Sequence, residues 1–355
     1  MIFVTGGSGH LGANLIRRLL ADGRKVRALQ RVGSDNRALD GLAIERVDGD
    51  LRDLDAVRAA VRGCRRVYHC AAKLSTVGGG HRDIFDCNVL GTRNLLTAAR
   101  EANVERVVVT GSFSAVGHLP DRPSDEEVPF YPFERVLPYE QTKVLVELEC
   151  LRAFALGLPT VIATSCAIVG PHDWKPSRMG RVLCDYARGK LRAYIPGGFE
   201  FVAARDIVEG HLLAMEKGRP GQKYIFASGF TTVDELMAIY ERTTGVPKPR
   251  LRLPPPVMMA VASVVSPILT RFFPDVPQRL TPDAIRLLTM GRRADVTKAK
   301  RELGFRPTPI AQAIEEAFDD FVRRGELPAP PRRPRARLVR DEPQNGSGRS
   351  IGGAA

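Results

Sequence analysis

Cys-x-x-Cys spacing is absent from this chain. Its six cysteines (Cys64, Cys70, Cys87, Cys150, Cys166 and Cys184) form neither a zinc pattern nor a paired framework. No metal site and no disulfide scaffold are therefore expected, and the thiols read as reduced. Also missing is an uninterrupted apolar run of about 20 residues, the length a bilayer-spanning helix needs. The nearest approach, residues 257–273, is broken by Pro267. The first apolar strand begins at residue 2, which leaves no room for a secretion leader, so a cytoplasmic location is expected. Aromatic residues make up only 6% of the chain, with Trp174 the sole tryptophan, and no aromatic stripe interleaves the basic residues. A nucleic-acid surface is therefore not expected, although 53 Lys and Arg against 40 Asp and Glu give a net charge of +13. Part of that excess sits in residues 325–355, which carry six arginines against three acids. A basic surface that attracts an anionic cofactor or membrane lipid accounts for the remainder.

What is present is organised around residues 2–20. Ile2, Phe3 and Val4 form a short run suited to a strand buried on both faces. Gly6, Gly9 and Gly12 punctuate the turn that follows. Leu11, Leu15, Ile16, Leu19 and Leu20 then recur at helical spacing. Strand, glycine loop and helix N-terminus together make an anion site, because unpaired N–H groups point at a ligand that the bare backbone can approach. Further strands are expected at 25–29, 43–47, 66–72 and 104–111, with helices between them and over 84–102. That alternation predicts an α/β fold, a doubly wound parallel sheet of Rossmann type. The end of the second strand, which usually meets the adenosine ribose, carries Gln30 and Arg31 in place of an acid, with Arg37 close behind. This favours NADP over NAD.

Ser112 closes the fifth strand, where open α/β sheets bind ligands. Tyr139 and Lys143 stand four residues apart at the start of the next expected helix, on one face. An ammonium so placed lowers a phenol's pKa from about 10 towards working pH, so that it exchanges a proton with a carbonyl or alcohol oxygen.

These residues resemble the extended short-chain dehydrogenase/reductases, the NAD-dependent epimerase/dehydratase family. The resemblance is carried by Thr5–Gly12, Gly49-Asp50-Leu51, His69-Cys70-Ala71-Ala72, Asn88–Asn94, Ser112, Tyr139 with Lys143, Ile168–Pro171 and Phe201–Ile207. Within the family the chain is similar to dihydroflavonol reductases and to reductases of hopanoid, sterol and secondary-metabolite clusters, on Pro196-Gly197-Gly198 and Lys298–Phe305. The resemblance implies that Tyr139 is the acid/base, that Lys143 holds the nicotinamide ribose, and that Ser112 polarises the substrate oxygen. Gly6, Gly9 and Gly12 would lie on the pyrophosphate with His10 and Leu11 beside them, and Ala71 and Ala72 would line the cofactor at the fourth strand. Asp50 and Leu51 would flank the adenine, and Arg31 would meet a 2′-phosphate. Phe113 and Ser114 replace the Asp-Glu of the family's sugar dehydratases, which argues against dehydration. Ser165 and Ala203 depart from the usual proline and histidine.

The expected organisation is a dinucleotide-binding domain over 1–171, with 201–228 returning to it. A substrate lobe occupies 172–200 and 229–324, and a disordered basic tail runs over 325–355. Trp174, Tyr194, Phe199 and Phe201 are candidate pocket residues. Residues 257–273 suggest a core helix first, and otherwise a lipophilic lid or a peripheral membrane contact. The expected activity is reversible reduction of a ketone on a lipophilic isoprenoid or aromatic molecule. A nucleotide-sugar epimerase and a non-catalytic dinucleotide sensor are the alternatives, and a homodimer is compatible with either.

Overall fold

Strands buried on both faces need helices on both sides, and the first two thirds of the chain supply them. The computed structural model describes residues 1–74, 81–130, 137–272 and 281–329. The chain runs β1 (Ile2–Thr5), α1 (His10–Ala21), β2 (Val26–Gln30), β3 (Glu45–Asp48), α2 (Leu54–Val61) and β4 (Arg66–His69). It continues as α3 (His81–Phe85), a π-helical turn (Asp86–Leu90), α4 (Gly91–Glu101), β5 (Arg106–Ser112), α5 (Pro138–Ala155) and β6 (Thr160–Ser165). The lobe elements follow as β7 (Ala167–Val169), α6 (Arg178–Ala187), β8 (Ala193–Tyr194) and β9 (Gly198–Ala203), after which α7 (Ala204–Lys217) and β10 (Lys223–Phe226) return to the main sheet. Last come β11 (Gly229–Thr232), α8 (Val233–Thr244), β12 (Leu251–Arg252), α9 (Pro255–Phe272), α10 (Pro282–Thr289), a second π-helical turn (Ala299–Leu303) and α11 (Ile310–Arg323).

Seven strands form one sheet in the order β10-β6-β5-β4-β1-β2-β3, and every neighbouring pair is parallel. The direction of winding reverses between β1 and β4, so the crevice at their C-terminal ends is the expected ligand site. Alternation along β1 sends Phe3 and Val4 to opposite faces, each fully buried. Val4 joins Leu15, Ile16, Ile207 and Phe226 on one side, while Phe3 joins Val57, Leu95, Val107 and Val146 on the other. The doubly wound sheet expected from the alternation of strands and helices is the observed fold.

The smaller lobe is built on a mixed sheet, β11-β9-β7, with Tyr186, Phe201, Tyr240, Phe318 and Phe321 in its core. Three boundaries differ from expectation. Residues 167–169 pair with β9 in the lobe sheet, not in the main one. The 84–102 helix is interrupted by the π-helical turn that carries Asn88. Leu327 is buried in the lobe core, so ordered packing runs past residue 325; residues 330–355 of the expected tail lie outside the described residues. The expectation of a core helix at 257–273 also fails. Among the described side chains of α9 only Ala262 is buried, because the helix packs one narrow face on α10 and leaves the opposite side uncovered; Phe273 lies outside the described residues. Among the described residues, no helix is long and apolar enough to cross a membrane.

Candidate active site

The loop after β1 depends on two glycines. Gly6 sits at φ +72°, and a Cβ there would lie 2.5 Å from the Ala71 backbone nitrogen at the end of β4. At Gly12, one turn into α1, a Cβ would lie 2.2 Å from the Gly6 carbonyl oxygen. Loop, helix and β4 therefore touch backbone to backbone, which only glycine permits. Gly9 caps α1 without a side-chain acceptor, and no acid stands in the first turn. The first N–H groups of α1 are thus left for an anion, so the loop fits a dinucleotide pyrophosphate. Leu11 is buried in the core and His10 donates from Nε2 to the carbonyls of Gly170 (3.2 Å) and Pro171 (3.0 Å). These two residues therefore present backbone, not side chain, to the crevice.

At the adenosine end, Gln30 is bound to Asp48 (2.9 Å). Asp50 is held by Arg52 (2.6 Å), whose hydrogen bonds keep the carboxyl below its ordinary value. Leu51 is buried, its carbonyl accepting from Asn94 (2.9 Å). Arg31 is exposed, and its guanidinium makes no hydrogen bond or ion pair among the described residues. Lys175, which no motif in the sequence marks, donates to Ser8 in the glycine loop (3.2 Å). Burial lowers its pKa, and the nearby Arg31 and Arg37 lower it further against Asp35. Ala71 is half-buried and Ala72 exposed at the end of β4.

Pro138 occupies the first turn of α5, where a missing N–H costs nothing, and Glu140 accepts from the Leu137 N–H (3.0 Å). This start places Tyr139 within hydrogen-bonding reach of Ser112, and Lys143 one turn below it on the buried stripe. Ser112 also bonds Ser114 through their hydroxyls (2.8 Å). Lys143 is 4% exposed and gives one of its donors to the Thr110 carbonyl (2.8 Å). An ammonium has three donors, and those remaining suit ribose hydroxyls. Burial drives Lys143 down to about 8, and it drives the Tyr139 phenol up to about 12 against the Ser112 hydrogen bond. The expected lowering of the phenol by the ammonium is not found. Desolvation raises the phenol instead, and Tyr139 holds its proton at neutral pH.

Asn88 was part of the resemblance but carried no assigned role. Its side chain accepts from the Lys73 N–H (2.7 Å) and donates to the Lys73 carbonyl (3.0 Å) and Thr142 (3.1 Å). It thereby ties the β4 exit to the turn of α5 between Tyr139 and Lys143. Thr92 donates to the Asn88 carbonyl (2.5 Å), so it accepts from His69 Nε2 (2.8 Å), and Thr5 donates to His69 Nδ1 (2.6 Å). His211 donates to the Ile207 carbonyl and accepts from Thr110 (both 2.8 Å). Both rings are satisfied as neutral imidazoles. Burial, then the Lys143 charge, depresses His69 to about 3; burial depresses His211 to about 4, with the Ile207 bond opposing. Below about 6.5 the unfolded chain takes up protons that the folded chain does not, so stability falls as pH falls, by up to about 1.4 kcal/mol per pH unit per ring. Thermal melts at pH 7 and pH 5 should show this decline, and His211→Asn should flatten it.

A cavity of about 210 Å³ lies between the loop after β5 and α10, reaching Leu137 and Glu140 on either side of Tyr139. Its apolar walls include Val116, Phe130, Leu287 and Met290. Arg292 lines it too, but its guanidinium stacks over Phe113 (4.9 Å) and donates to the carbonyls of Phe113 (2.8 Å) and Val116. The aromatic candidates lie elsewhere. Trp174 packs under Arg324 (4.8 Å), Tyr194 donates to Asp234 (2.7 Å), and Phe199 and Phe201 stack edge-to-face in the lobe core. Nothing in the pattern of residues 116–130 marked them as a wall, since the loop lacks periodicity.

The description of the NAD dependent epimerase/dehydratase family matches residues 2–227. The chain belongs to this family. Sterol demethylase protein B of Methylococcus capsulatus is 46% identical over 324 residues, covering 91% of this chain and 99% of its own. The 4-hydroxy-2-methyl-3-oxo-4-farnesyl-3,4-dihydroquinoline-1-oxide ketoreductase of Stigmatella aurantiaca is 30% identical over 312 residues, 85% of this chain and 91% of its own. The crystal structure of gox2253 matches with a TM-score of 0.80 at 31% identity, over 92% of this chain and 99% of that one. As a family member with such relatives, the protein is an NAD(P)-dependent oxidoreductase of short-chain dehydrogenase/reductase type, acting on a CH–OH or carbonyl group.

Proposed function

We propose that the protein is an NADPH-dependent ketoreductase for a lipophilic ketone. The observation that carries this reading is the Tyr139 phenol, placed beside Ser112 and kept protonated at neutral pH by burial, with Phe113 and Ser114 following Ser112 where dehydration would need carboxylates. The nicotinamide, when bound, supplies the hydride. Ser112 donates to the carbonyl oxygen and orients it, and Tyr139 gives its proton to that oxygen as negative charge develops. Lys143 holds ribose hydroxyls with its remaining donors, and Asn88 keeps the α5 turn in register.

The cavity offers Val116, Phe130, Leu287 and Met290 to the apolar part of a substrate beside the polar His118, Glu140, Asp283 and Arg286, and Arg292 is committed to backbone carbonyls instead of a substrate phosphate. The two curated relatives named for a sterol and a farnesylated dihydroquinoline oxide support the lipophilic class. On α5, Leu145, Leu148 and Leu151 are exposed at three-residue spacing and support pairing with a second copy. A parallel screen of hydrophobic ketones and nucleotide sugars, each with NADH and NADPH, tests the reading. Turnover is expected on ketones, and turnover confined to nucleotide sugars would overturn it.

For the cofactor, Arg31 and Lys175 supply cations beside a β2 end that carries no acid, which favours a 2′-phosphate. A charged hydrogen bond is worth about 1.5–3 kcal/mol, so Arg31→Ala with Lys175→Ala should raise the KM for NADPH about 10- to 100-fold. The KM for NADH should change by less than about threefold, because NADH lacks the group they meet. Equal losses with both cofactors would contradict the assignment.

A further inference from the structure

Six of the fifteen large apolar side chains exposed among the described residues lie on α9: Val257, Val261, Val264, Val265, Ile268 and Phe272, between 42% and 68% exposed. At 100° per residue their directions fall within an arc of about 100°. The helix is held from the other side, where Met258, Met259 and Ala262 meet Ile285 and Leu288 of α10. A stripe this concentrated and unpartnered marks a docking surface. The approach to α9 and the helix itself carry one sign of charge along the chain. From residue 242 to 272 the basic residues are Arg242, Lys248, Arg250, Arg252 and Arg271, and there is no acid. Arg252 is paired with Asp234 on α8 (2.9 Å). Lys248 and Arg250 are exposed in the approach to α9, and Arg271 lies at the edge of the stripe beside Phe272 (6.0 Å).

We propose that α9 lies flat on an anionic lipid bilayer, its valine, isoleucine and phenylalanine stripe in the acyl boundary and Lys248, Arg250 and Arg271 among the headgroups. An apolar face bordered by cations is the composition of an interfacial helix. A second copy fits less well, because a two-fold contact through the stripe would set Arg271 against its own counterpart with no acid on α9 to meet it. Spanning is excluded by length and by Pro267 inside the helix. The opposite side of α10 contributes Asp283, Arg286 and Leu287 to the cavity beside Tyr139. One helix therefore separates the lipid from the substrate cavity. That link to delivery of a lipophilic ketone rests on the ketoreductase reading, whereas the docking does not.

The test is co-sedimentation of the full chain with vesicles of phosphatidylcholine containing about 30 mol% phosphatidylglycerol, and with phosphatidylcholine alone. Binding should be at least about tenfold tighter on the anionic vesicles and weaken with salt. Val264→Glu with Ile268→Glu should reduce it at least about 30-fold, and Arg250→Glu with Arg271→Glu at least about tenfold. Both variants should keep their melting temperature and their turnover of a small water-soluble ketone. Wild-type protein that stays in the supernatant, or glutamate variants that bind as well as it does, would overturn the proposal. So would a Val264/Ile268 variant that falls to half the wild-type mass in sedimentation without lipid, since the face would then belong to a second copy. Lipid binding as expected, with no ketone reduced, leaves the docking standing and defeats the ketoreductase reading.

Discussion

Tyr139→Phe should lower kcat for ketone reduction by about 10³-fold, within the range that a positioned proton donor contributes. The substitution removes one oxygen and keeps the ring, so packing at the start of α5 survives and NADPH should bind within about threefold of wild type. The phenol carries its proton because burial raises it to about 12. Reduction should therefore show no loss of rate between pH 6 and pH 8 that is traceable to this group, while the reverse reaction, which needs the phenolate, should rise with pH. Steady-state kinetics with a hydrophobic ketone, beside fluorescence titration of NADPH, check both. A loss of less than about tenfold would remove Tyr139 from the chemistry. An unchanged ligand response with no turnover in either protein would favour a sensor.

Gly12→Ala should weaken NADPH binding by more than about 100-fold and destabilise the fold by about 1–3 kcal/mol, the cost of overpacking a closed contact. The Cβ would sit 2.2 Å from the Gly6 carbonyl oxygen, a backbone atom that cannot turn aside as a side chain would. Relief requires α1 to move away from the loop, which spoils the alignment of its first N–H groups with a pyrophosphate. Isothermal titration and a thermal melt measure the two effects separately. Undiminished affinity would show that the cradle does not hold the cofactor.

Much of the binding half was legible in the residues. Strands β1, β2, β4 and β5 are runs whose apolar character survives on both faces of a sheet, and their boundaries follow from the glycines and small residues that end them. Tyr139 and Lys143 fall on one face because the helical period puts them there, and Pro138 marks the helix start. Electrostatics was less legible. The spacing suggested an acidified phenol, but desolvation of both groups dominates, a quantity set by the packing of α5 against β5 and the π-helical turn. The role of Asn88 depends on that turn, whose extra residue no periodicity announces. Lys175 comes to Ser8 across a separation of 167 positions. Along α9, the apolar run suggested a helix but not which face the fold would cover; α10 covers one, and the rest stays bare.

Hydride transfer from NADPH carrying deuterium at both C4 positions of the nicotinamide, followed by mass and proton spectra of the product, tests the central claim most directly. With a hydrophobic ketone that the enzyme turns over, the account predicts one deuterium on the new carbinol carbon and one NADPH oxidised per alcohol formed. A carbinol carbon without deuterium would contradict it, and inversion of a CH–OH centre in a nucleotide sugar with no net oxidation of the cofactor would assign the same fold and site to an epimerase.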